Sequence, residues 1–216
     1  MYFKDRSEAG LKLAAQLAPY RYENCVVLAL NDGGVLVGEQ IAAEIHSVLT
    51  ILLTEDVTIP GERLLFGSVT QGGFTQNQNL SDSEREEYYG EFHGYIEDQK
   101  REQLQRINRL LGDGGLLDEA MLFDHVVILT ADGLPDGHLL DVAAGFLKPI
   151  RLKRLVVAVP VASVPAVDRM HVLADELHVL SVTDNYLDTN HYYDNNLMPS
   201  REETIARLNR VILNWR

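Results

Sequence analysis

Five short apolar runs constrain this chain more than any other feature: Val26–Leu30, Val48–Leu53, Val126–Leu129, Arg154–Val161 and Leu177–Val182. Each is too short for a helix and fits a strand buried on both faces. Apolar residues then recur at helical spacing, as Val37, Ile41, Ala42 and Ile45 after the first run. They do so again as Leu139, Val142, Ala143, Phe146 and Leu147 after the third. Strands that alternate with helices predict one α/β domain over residues 1–216, with a mostly parallel sheet flanked by helices and right-handed crossovers.

Further elements follow from local signals. Asp5 and Glu8 read as the cap of a first helix, with Leu11, Ala14, Ala15 and Ala18 at helical spacing and Pro19 closing it. A helix from about Tyr95 to Leu111 should turn Ile96, Leu104, Ile107 and Leu111 inward. Glu97/Arg101 and Glu102/Arg106 are i,i+4 pairs on its surface, and Gly112, Gly114 and Gly115 end it. Ser163 caps the next helix with Pro165 in its first turn, and a terminal helix runs from about Ser200 to Leu213. Residues from about 55 to 95 show a weaker pattern. They read as turns or short strands outside the core, with an acidic, solvated stretch at 82–98 and a position suited to a hood or lid.

The glycine-bearing turns mark the place for a ligand. Val126–Leu129 leads through Ala131, Asp132, Gly133, Leu134, Pro135, Asp136 and Gly137 into a helix starting near His138. Strand, turn and helix in that order point backbone N–H groups at an anion. Asn31, Asp32, Gly33 and Gly34 form a similar turn after Val26–Leu30, so both turns should line one pocket beyond the strand ends. Asp136 also suits a helix cap. A metal site from Asp132, Asp136 and His138 matches no ligand signature, and the metal stays unassigned. Tyr192 and Tyr193 are candidates to stack on a base, although tyrosines often just cover a sheet end.

Charge narrows the partners. A formal net charge of -13 argues against nucleic acid and anionic membranes, both of which need a basic face. Neither an apolar leader nor a membrane-length run is seen, and the single cysteine, Cys25, reads as a small buried hydrophobe. The expectation is a cytoplasmic protein. A homodimer is compatible with these features.

The order of motifs resembles type I phosphoribosyltransferases, in particular the predicted bacterial phosphoribosyltransferases of this length. Their "DRxxAGxxLA" helix is matched by Asp5-Arg6…Ala9-Gly10…Leu13-Ala14, and their "RGG" turn by Asp32-Gly33-Gly34. A "P-x-x-E…GAV…G" segment is similar to Pro60…Glu62…Gly67-Ser68-Val69…Gly72. "VILVDDGxATGxT" stands against Val127–Leu139, "VVAVPVA" against Val156–Ala162, and "YY-D/E" against Tyr192-Tyr193-Asp194. The resemblance implies a phosphoribosyltransferase-type sheet with a hood. It also implies a reaction in which phosphoribosyl pyrophosphate, bound with Mg²⁺, loses pyrophosphate from C1 and a nitrogen acceptor attacks. Residues 131–138 would then be the ribose and phosphate loop, Asp132 the catalytic carboxylate, and Asn31–Gly34 the pyrophosphate loop.

The loops depart from that pattern. The usual acidic pair is Ala131-Asp132, the phosphate-binding threonine is Asp136, and the arginine of the first turn is Asp32. The basic pair expected after the second strand falls near Glu55-Asp56. At about 5 Å, two unit charges repel by roughly 0.8 kcal/mol in water and about 3 kcal/mol at an effective dielectric near 20. Two function classes therefore stay open: a phosphoribosyltransferase with weakened or altered chemistry, or a non-catalytic protein that binds a phosphoribosyl or nucleotide-like ligand as a regulator.

Overall fold

The computed structural model describes residues 2–62, 64–112 and 117–214, with 210–214 described by backbone alone. Gly114 and Gly115 lie outside the described residues. The first helix, α1 (Arg6–Leu17), is followed by β1 (Cys25–Ala29), α2 (Asp32–Ile45) and β2 (Val48–Ile51). Next come β3 (Glu55–Ile59), β4 (Leu64–Thr70), β5 (Gly73–Gln76) and α3 (Asp82–Leu111). The second half holds β6 (Val126–Thr130), α4 (His138–Leu147), β7 (Arg154–Ser163), α5 (Val164–Leu173), β8 (Glu176–Thr183) and α6 (Arg201–Asn214).

All five apolar runs are strands of one parallel sheet, ordered β2-β1-β6-β7-β8. Alternate residues feed two cores. Val27, Ala29, Val126 and Ile128 pack against α1 and α2, whereas Val26, Leu28, Val127 and Leu129 pack against α4 and α5. Burying both faces is what makes the runs continuous rather than alternating. The strand order reverses at β1, which has β2 on one side and β6 on the other. In open α/β sheets such a switch point opens a crevice at the carboxyl ends of the strands.

The 55–95 excursion differs from expectation. It builds a three-stranded antiparallel sheet, β3-β4-β5, and the first half of α3. Val57, Ile59, Phe66 and Val69 join the main core, so part of it is core after all. Helix α3 starts at Asp82, not Tyr95, because Ser81 and Glu84 form a reciprocal capping box. Only Ile96 and Ile107 of α3 are fully buried, which leaves its acidic residues in water. Leu104 is 37% exposed rather than inward. At about 100° per residue it lies roughly 80° around the helix from Ile96. The surface pairs are also re-sorted: Glu97 bonds Lys100, Asp98 bonds Arg101, and Arg106 reaches Glu55 of β3 at 3.4 Å. On α1, Leu11 faces solvent and Leu13 and Leu17 carry the packing. None of the helices among the described residues is long and apolar enough to cross a membrane.

Candidate active site

The two glycine turns meet at the switch point. Backbone pairing continues past the strands, with the Leu30 N–H donating to the Thr130 carbonyl at 2.9 Å. Asn31 is the N-cap of α2. Its Oδ1 accepts from the Gly34 N–H at 2.7 Å, and its Nδ2 donates to Asp132 Oδ1 at 2.8 Å. The expected first turn is thus the opening turn of α2 itself, tied directly to the loop after β6. A Cβ on Gly33 would stand 2.0 Å from Asp132 Oδ2, so only glycine lets the carboxylate lie over that turn.

Asp132 is 5% exposed and carries a second partner. Arg6 Nε donates to its Oδ2 at 2.7 Å, and both side chains are buried. The Arg6 guanidinium also donates to Asn190 Oδ1 at 2.7 Å and to Asn196 Oδ1 at 3.3 Å, and lies 4.5 Å over the Tyr193 ring. The Tyr193 hydroxyl donates to the Asp132 carbonyl, and burial pushes its ionisation upward. Tyr186 closes the other side: a Cβ on Gly133 would stand 2.1 Å from its hydroxyl, whose pKa burial raises to about 12.

The remaining loop residues have structural partners. Ala131 and Leu134 are buried, and Leu134 pairs with the end of β7 through Val161 and Ser163. Pro135 is exposed. Asp136 Oδ1 accepts the His138 N–H at 2.8 Å, one residue ahead of the N-cap position held by Gly137. His138 is 4% exposed and bonds Ser68 Oγ of β4 through Nε2 at 2.8 Å. Since Ser68 donates its proton to Asp56 Oδ1 at 2.7 Å, His138 must be the donor to Ser68. Burial lowers the His138 pKa against the pull of Asp136, Asp56 and Asp141.

Several expectations change. Asp32 is no free anion: Arg201 Nε of α6 pairs with it at 3.0 Å, opposing the rise that burial imposes on its carboxyl. Asp136 is engaged by backbone, so the acids at these positions are compensated within the chain. The turns adjoin as expected, but Arg6 and the 184–196 segment fill the space beside Asp132. That segment packs on the loop beside Asp132, and the 55–95 excursion meets the other end of the loop, where Ser68 bonds His138. Tyr192 and Tyr193 are 6% and 4% exposed, packed on Phe3, Tyr186 and Arg6, and offer no free face to a base. Among the described residues, no three His, Cys, Asp or Glu side chains form a metal cage, and Asp132, Asp136 and His138 are not brought together. Cys25 is buried and its thiol is pushed up to about 11.

Two arginines escaped sequence reasoning. Arg6 had a signal, because it falls on the buried stripe of α1 with Ala9, Gly10, Leu13 and Leu17. A charge on an apolar stripe needs a partner. Arg201 carried none.

The fold and the two turns resemble those of the type I phosphoribosyltransferase class: a parallel sheet flanked by helices with a strand–turn–helix loop at the switch point. Known proteins agree with this. Two Mycobacterium tuberculosis proteins, from strains CDC 1551 and H37Rv, named "Putative phosphoribosyl transferase MT0597" and "Putative phosphoribosyl transferase Rv0571c", are each 26% identical over 97% of the chain. The chain spans about half the length of these curated relatives, 47%. The crystal structure of TT1426 from Thermus thermophilus is 29% identical, with a TM-score of 0.70 over 96% of this chain and 97% of that one. No family model matches the chain.

Proposed function

We propose that the chain binds phosphoribosyl pyrophosphate where the turns after β1 and β6 meet, and transfers its phosphoribosyl group to a nitrogen acceptor. The observation that carries this reading is the Asn31–Asp132 hydrogen bond at 2.8 Å, which joins a helix N-terminus to a carboxylate at the sheet's switch point. Pyrophosphate faces the first turn of α2, and the 5′-phosphate faces the first turn of α4. Asp132 receives a ribose hydroxyl and stabilises the cationic C1 as pyrophosphate departs. Ala131 gives the ribose no second carboxylate, which makes Asp132 the sole acid of the loop's start. Mg²⁺ comes with the pyrophosphate as part of the substrate, since the described side chains around Asp132 offer no cage for an ion.

Titration calorimetry of phosphoribosyl pyrophosphate with Mg²⁺ tests the reading. Binding to one site, weakened at least tenfold in Asp132→Asn, is expected. Pyrophosphate release on adding purine or pyrimidine acceptors then identifies the acceptor. No binding at millimolar ligand overturns the proposal.

A further inference from the structure

The 184–196 segment is built differently from the rest of the chain. It crosses the mouth of the site as a single layer whose outer side, including Asn190 and Asn196, is exposed. Its inward residues Tyr192 and Tyr193 pack with Phe3, Ala9 and Val161 in a small cluster separate from both main cores. Its side-chain hydrogen bonds to the loop run through two groups: Arg6, which bonds Asp132 on one side and Asn190 and Asn196 on the other, and the Tyr193 hydroxyl, which donates to the Asp132 carbonyl. Backbone bonds tie the segment to Phe3 and Lys4. Releasing it uncovers Val161 near the end of β7 and leaves the two main cores in place.

From this geometry we infer that residues 184–196 form a strap that shuts the candidate site, pinned by Arg6, and that a ligand reaches Asp132 only after the strap lifts. The inference rests on the site assigned above for what is shut in; the opening itself is independent of any ligand. The strap runs between β8 and α6, and α6 stays docked through Ile205 and Leu208, so the segment moves as a tethered bridge. Access is then governed by an opening equilibrium drawn from the less stable part of the fold.

Hydrogen exchange on the triple variant Asn190→Ala/Tyr193→Phe/Asn196→Ala tests the proposal, because it removes the strap's side-chain hydrogen bonds to Arg6 and to the Asp132 carbonyl and leaves the Arg6–Asp132 pair intact. Amides of residues 131–134 should exchange at least about tenfold faster than in wild type, while those of β1 and β7 keep their protection. Tyr186→Phe, which removes the hydroxyl beside Gly133 but not the ring, should give a smaller gain in the same amides. Unchanged exchange at 131–134 in both variants overturns the strap, whether or not 184–196 itself exchanges faster. Loss of protection throughout the sheet would also overturn it, since the segment would then be part of the core. Titration of the triple variant with phosphoribosyl pyrophosphate and Mg²⁺ separates the two proposals. Faster exchange with faster association supports both, and faster exchange with no binding in either protein leaves the strap and removes the phosphoribosyl reading.

Discussion

Replacing Arg6 by Met keeps an unbranched apolar stem and removes the guanidinium, with its charge, its donors and its place over the Tyr193 ring. At 2.7 Å the Arg6–Asp132 attraction is about 6 kcal/mol at an effective dielectric of 20. Burying the two ions costs several kcal/mol each, so the intact pair is close to neutral in net stability. Removing one partner is a different matter: Asp132 stays buried with Asn31 as its remaining side-chain donor. Arg6→Met should cost about 3–5 kcal/mol, which for a domain of this size lowers the melting temperature by roughly 6–20 °C. Asp132→Asn should cost somewhat less, because Asn keeps an acceptor for the guanidinium. The double variant should fall short of the sum by at least about 2 kcal/mol, the coupling of two contacting groups. Urea unfolding of the four proteins at pH 7 measures all these values. A loss under about 1 kcal/mol for Arg6→Met, or strict additivity, refutes the buried-pair account.

His138 should make stability depend on pH. Its folded pKa is lowered, so its contribution is complete above the unfolded value near 6.5 and is lost as pH falls below it, by up to about 1.4 kcal/mol per pH unit. Urea midpoints at pH 7.5 and 5.5 for wild type and His138→Gln should differ accordingly, and equal slopes would contradict this. Gly33→Ala should cost about 1–3 kcal/mol, since its Cβ meets the Asp132 carboxylate. Gly94→Ala, in open space on α3, should instead stabilise by about 0.5–1 kcal/mol in the same assay. Cys25, with its thiol pushed up to about 11, should react with a disulfide reagent at pH 8 only as fast as the protein unfolds.

The parallel sheet was legible because its central strands are nearly continuous apolar runs, with the half-buried edge strand β8 the most polar, a signal that needs no knowledge of its neighbours. The accessory sheet was harder to read. Val57 and Ile59 alternate with the exposed Asp56 and Thr58, but five residues of period two are little signal beside so many glycines. The start of α3 was written in Ser81 and Glu84, yet the first turns carry too few apolar residues for a periodicity to show. At the site, the positions of the two turns were legible and their electrostatics were not. Asp32 and Asp132 look like bare acids until Arg201 and Arg6 are placed beside them; Arg6 is marked locally only by its place on the apolar stripe of α1, and nothing local marks Arg201 or says which acid either one meets.

That long-range pairing also sets an order of assembly. Arg6 and Asn190 are 184 residues apart, so at about 5–20 residues per second a ribosome delivers the second roughly 9–37 s after the first. Throughout that interval α1 carries a guanidinium on its apolar stripe with no strap to receive it. The sheet can begin to assemble strand by strand, whereas the surroundings of Asp132 are completed only when Asn190, Tyr193 and Asn196 have emerged. A chain stopped before them has the strands and both glycine turns, with Asp132 and Arg6 open to water.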